Sequence, residues 1–247
     1  MKLLFIIYLG SFCTICQGQS LDKLVLKGNY SSQDSIQITQ AYSNSNLAVD
    51  RMYKAMNSIW IIERQQGQSK KALRKELWEN DDAFMTWLGK PEKIRLACRR
   101  IRKIHAKYEK KIILKVTKEN KGRCKGWISA WTVPFGHVKI RLCDDYLKYR
   151  THLHEKTLIH ELGHEAGMFF HKRIHGCWRA LRAAGSISNN VAKKSPENYA
   201  WLAMSYMGLA CSNWSFKQDE VRFVVIIVRS HDLWLALIAK FESRSKT

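Results

Sequence analysis

Two histidines four residues apart, with a glutamate behind the first, form the run His160-Glu161-Leu162-Gly163-His164 in this 247-residue chain. On a helix, positions i and i+4 share a face, so both imidazoles can point at one metal ion. Zinc takes histidine nitrogens at about 2 Å, wants a third protein ligand, and keeps one position open. Glu161, beside that position, can take a proton from an attacking water and return it to a leaving amine. The run therefore predicts one catalytic zinc held by His160 and His164, with Glu161 as general base in peptide-bond hydrolysis.

The third ligand has several candidates. His171 follows His164 by seven residues, after Gly167, which lets the chain turn back. The metzincin pattern H-E-x-x-H-x-x-G-x-x-H puts its last histidine one position earlier, where this chain has Phe170. His175 is the next candidate, or a donor to the tetrahedral intermediate. Glu197 is the third, as in zincins with a glutamate ligand.

The elements that must position these groups are legible from periodicity. Helical patterns run from about Tyr42 to Gln65, Ser69 to Trp87 and Pro91 to Tyr108, the last opening on Pro91-Glu92. The period then changes. Lys111 to Val116 is β-branched, Gly126 to Pro134 continues in that style, and His137 to Cys143 alternates, with a turn near Pro134-Phe135-Gly136. Helix returns at about His152, and again at Gly176 to Ala184 and Pro196 to Leu209. The expected fold class is α+β and zincin-like: mostly helical, with a small antiparallel sheet beside the metal helix and the site between an edge strand and that helix.

Several blocks, taken in order, resemble the deuterolysin and peptidyl-Lys metalloendopeptidase family, the aspzincins. They are Phe84-Met85-Thr86-Trp87-Leu88-Gly89, the cysteines Cys124 and Cys143, the strand His137 to Cys143, Thr157 to His164, and Glu197-Asn198-Tyr199-Ala200-Trp201-Leu202-Ala203. Together they span about residues 40 to 212. The resemblance implies a zinc endopeptidase and a Cys124–Cys143 disulfide. The family's third ligand is the aspartate of G-T-x-x-D-x-x-Y-G. Here Lys172, a poor zinc ligand, holds that place, with His175 at the tyrosine position and Gly176 at the final glycine. The adjacent His171 is the substitute that the resemblance suggests. Glu197 aligns with an acidic residue that binds the substrate lysine in lysine-specific members, while the second acid of that pocket falls at Ala200. A plain first-turn helix charge after Pro196 is the competing reading of Glu197.

Charge and cysteines bound the rest. The formal net charge is +21, much of it between Lys90 and Lys125, including Arg99-Arg100-Ile101-Arg102-Lys103. It suits anionic glycans or membrane surfaces, and equally one solvated helix face; no nucleic-acid motif accompanies it. Residues 1–18 read as a signal peptide, which makes the expected location extracellular. Of the five cysteines beyond it, Cys124 and Cys143 bracket a hairpin and are expected to pair. Cys177 with Cys211 is the other candidate bridge, leaving Cys98 as a buried thiol. The organisation expected is a polar arm over 19–40, a catalytic domain over 41–215 and an extension over 216–247. The expected protein is a monomer acting on proteins or peptides. The alternative is a secreted, polybasic, zinc-binding protein without catalysis.

Overall fold

The computed structural model describes residues 21–62, 69–117, 124, 129–132, 138–148, 153–169, 176–185 and 191–209. The expected signal peptide, the extension over 216–247, and His171, Lys172, His175 and Cys211 lie outside them.

The described part is mostly helical, with one small mixed sheet. Its strands are β1 (Leu24–Gly28), β2 (Ile112–Thr117), β3 (Ala130–Thr132) and β4 (Val138–Cys143), in the order β1-β2-β4-β3. Only β3 and β4 pair antiparallel; β1 with β2 and β2 with β4 are parallel. The expectation of an antiparallel sheet is therefore corrected. β3 takes the far edge and β4 lies between it and β2, antiparallel to the first and parallel to the second. The polar arm is corrected as well, because Leu24–Gly28 is a strand paired along its length with Ile112 to Val116. Gly28 ends it at φ +104, where an added Cβ would fall 2.2 Å from the Val116 carbonyl oxygen, so no other residue fits.

Alternation gives the sheet one buried face. Leu114, Ile140 and Thr132 stand in one cross-strand row, and Val116, Leu142 and Ala130 in the next. All six are buried. This face carries Thr132 toward the metal helix.

Eight helices are described: α1 (Ser32–Trp60), α2 (Lys70–Glu79), α3 (Asp82–Leu88), α4 (Ile94–Tyr108), α5 (Asp144–Lys148), α6 (Leu153–Glu165), α7 (Cys177–Gly185) and α8 (Pro196–Ser205). α1 starts ten residues before the expected Tyr42. Ser31 and Asp34 form a capping box there, each side chain accepting from the other's backbone N–H. Its buried stripe of Ile38, Tyr42, Val49, Met52, Met56 and Ile59 packs on α4, α6 and α8. The helix expected over Ser69 to Trp87 is two, because the Asp81 side chain caps Phe84 N and starts α3 afresh. α4 begins at Ile94 rather than Pro91, since Lys93 sits in the left-handed region at φ 56.

Cys124 and Cys143 are bridged, and Cys98 is a buried free thiol whose pKa burial pushes up to about 11. Cys177 is disulfide-bonded. No helix among the described residues is long and apolar enough to cross a membrane.

Candidate metal centre

The α6 sequence places its chemistry on one side. Leu158, Ile159 and Leu162 are buried against the body, and His160 and His164 sit one turn apart with their rings edge to face. The two Nε2 atoms are 3.2 Å apart. Two bonds of about 2 Å meeting at a near-tetrahedral angle separate their nitrogens by about 3.3 Å, so this spacing is the one a shared zinc ion requires.

The opposite edge of each ring fixes its tautomer. The His164 Nδ1 lies 2.7 Å from the Met168 carbonyl oxygen, an acceptor only, so that nitrogen carries the proton and donates it. The His160 Nδ1 lies 2.8 Å from Glu197 Oε2 and donates to it. When the rings are neutral, this leaves each Nε2 with a lone pair available to a metal ion. Holding the rings through Nδ1 is how metal-binding histidines are commonly oriented. Among the described residues, His160, Glu161 and His164 form the cluster able to hold a metal, their ligand atoms lying within 4.8 Å of one another.

Glu161 is buried beside this point. Burial raises its pKa, while His160, Lys156 and the Thr132 backbone N–H act to lower it; the net shift is upward. A carboxylate so placed is a stronger base than an exposed one. Thr132 belongs to β3, which ends the sheet next to α6, so Glu161 and the edge strand meet at one residue.

Glu197 occupies a different place from either role expected for it. Its side chain is fully buried on the first turn of α8. Oε2 accepts from His160, while Oε1 accepts from Lys156 Nζ at 2.8 Å, from Gly176 N at 2.9 Å and from Trp201 Nε1 at 3.1 Å. It is not a third ligand, because it lies on the Nδ1 side of the ring, away from the converging Nε2 atoms. Nor is it placed to hold a substrate lysine, because the protein's own Lys156 already neutralises it. Burial raises the Glu197 pKa, but Lys156 and His160 more than offset this and hold the carboxyl well below the ordinary range. Met168 O thus accepts from the His164 ring, and Gly176 N donates to the carboxylate behind the His160 ring.

Two more residues complete the support, neither given a structural role by the sequence. Glu165, one residue past the motif, is buried and hydrogen-bonded by the Thr132 hydroxyl, with Lys107 Nζ at 3.5 Å. It pins α6 to the edge strand and to α4. Gly163 lets α6 and α8 close up: an added Cβ would meet Pro196 Cβ at 2.6 Å. Pro196 is a rigid ring at the start of α8, so the clash has no cheap relief. Gly163→Ala should therefore cost about 1–3 kcal/mol, as overpacked sites do. Thermal melting would read this as a fall of several degrees, and an unchanged midpoint would mean that the helices do not approach this closely.

No protein-family model and no curated protein matches the chain. Among solved structures it is similar to a zinc peptidase from Grifola frondosa, with a TM-score of 0.49 and 13% identity, over 70% of this chain and 96% of that one. What the centre can do is decided by its own geometry.

Proposed function

We propose that the protein is a secreted zinc-dependent endopeptidase. The observation that carries the reading is the pair of Nε2 atoms 3.2 Å apart, each ring fixed through Nδ1, with a buried carboxylate beside them. Zinc, when bound, supplies Lewis acidity to water and to the scissile carbonyl. The chain's residues do the rest. Glu161 accepts the proton of the attacking water and delivers it to the departing amine. The Thr132 N–H holds that carboxylate in place. β3, at the sheet's edge, is the strand with which an extended substrate would pair. His171 is the proposed third ligand and His175 the donor to the tetrahedral oxygen. Glu197 and Lys156 are positioning residues behind His160, which leaves Glu197 no part in a lysine preference. Export is supported by the signal-like residues 1–18 together with two disulfide-bonded sites, Cys124–Cys143 and Cys177.

Metal analysis of purified protein should find about one zinc per chain, and a chelator should stop cleavage. His171→Ala should lose stoichiometric zinc. His175→Ala should keep the zinc and slow turnover by about 10²–10³-fold, as loss of one oxyanion donor does. The reverse pattern would make His175 the ligand, and no change in either variant would remove the 170–175 stretch from the site. Stoichiometric zinc without any cleavage would favour the non-catalytic reading.

A further inference from the structure

Away from the metal centre, the end of α1 and the outer face of α4 enclose a depression of about 500 Å³, lined by Trp60, Arg95, Arg99, Arg102 and Lys103 above the buried Cys98. α4 has seven basic residues, counting His105, and no acidic one. His105 and Lys107 have carboxylates, Asp50 and Glu165. Arg95, Arg99, Arg102 and Lys103 are exposed and meet no carboxylate among the described residues. Arg95, Arg99 and Lys103 stand at successive i,i+4 positions, and each such like-charged pair weakens a helix slightly. The Trp60 ring gathers two guanidiniums at the rim, that of Arg102 at 5.2 Å and one more, that of Arg74, at 4.0 Å from its centroid. Arg74 is also hydrogen-bonded to the Trp60 carbonyl.

We propose that this trough binds a linear sulfated polysaccharide. The row from Arg95 to Lys103 extends about 12 Å along the helix, at 1.5 Å per residue, which suits a chain carrying anionic groups at intervals. Guanidinium forks match the oxyanion geometry of sulfate. Single-stranded nucleic acid is less well served, because bases need an open aromatic face and two guanidiniums lie over the Trp60 ring. A bilayer is less well served too. The charges line a hollow, and the exposed Ile61 beside it is a single aliphatic side chain, too little to insert.

Binding of the full chain to a heparin octasaccharide, measured across a salt series, tests this. Substituting Arg95→Gln, Arg99→Gln and Lys103→Gln together should weaken binding about tenfold or more and reduce the salt slope by about two to three. The control triple Lys27→Gln, Lys110→Gln and Lys139→Gln, on exposed residues elsewhere, should stay within about twofold. The trough triple should also melt no lower than the parent, because it relieves like-charge rows. If it does not fold, Arg99→Gln alone should show a smaller loss of the same sign. Equal losses in both triples would overturn the proposal in favour of net charge alone, and undiminished binding of a desulfated octasaccharide would also overturn it. A trough triple that loses binding to single-stranded DNA or to phosphatidylserine vesicles, while keeping the octasaccharide, would assign the surface to those ligands instead.

Discussion

Glu161→Gln should lower kcat/KM for peptide cleavage by about 10²–10⁴-fold, the usual worth of a general base, while zinc content stays at about one per chain. The two effects should separate because, in the proposed mechanism, the residues that hold the metal are not the one that moves the proton. The Nε2 pair is oriented by Glu197 and Met168, and neither contact involves Glu161. Glutamine keeps the size and an oxygen able to accept from the Thr132 N–H, so the substitution removes basicity and little else. Stability should respond in the opposite direction to activity. Burial raises the Glu161 pKa, so in metal-free protein its contribution is favourable at low pH and is lost as pH rises through the folded-state value. The window opens near the unfolded glutamate value, about 4.3, and extends upward. Metal-free Glu161→Gln should thus melt progressively higher than the parent as pH is raised across that window. Parallel melting curves would show that Glu161 is not desolvated, and retained catalysis would mean that another group is the base.

Glu197→Ala should damage both the fold and the metal site. Lys156, whose side chain is only 14% exposed, is left without this partner, and breaking a buried ion pair from one side costs about 3–5 kcal/mol, the lower end applying here. At about 2–4 °C per kcal/mol for a chain of this size, the midpoint should fall by roughly 10 °C. His160 also loses the acceptor that fixes its ring, so zinc affinity should fall by about 10–100-fold. Adding Lys156→Met to the alanine variant separates the two losses. Removing the stranded charge should recover part of the stability, whereas zinc affinity should stay low because the His160 Nδ1 still lacks its carboxylate. Recovery of both together would mean that Glu197 acts on the metal only through general stability.

Residues close in sequence made the metal helix and its motif legible: the i,i+4 histidines, the apolar positions among them, and Glu161. The alternation of Val138, Ile140 and Leu142 revealed β4, and Cys124 and Cys143 were readable as a pair around a hairpin. What escaped notice depends on distant packing. Leu24–Gly28 looks like part of a polar arm until it pairs with a strand beginning at Ile112. Glu197 follows Pro196 as any first-turn acid might, and only the close approach of α8 at Gly163 brings it behind His160. Glu165 looks like a surface charge next to the motif because its partners, Thr132 and Lys107, come from a strand and a helix far off in the chain. The early start of α1 did leave a local signal, the Ser31 to Asp34 spacing of a capping box, hidden within a stretch whose serines and glutamines suggested a loose arm.

One zinc ion bound at the His160–His164 pair should be what makes this protein cut peptide bonds. The most direct test of this starts from metal-depleted protein incubated with an unfolded polypeptide, the fragments being read by mass spectrometry as zinc is added toward one equivalent. Internal cleavage should be absent without metal and rise in proportion to bound zinc, reaching a plateau at about one per chain. Full occupancy of the histidine pair with no internal cleavage, or cleavage that proceeds equally in the depleted protein, would contradict it.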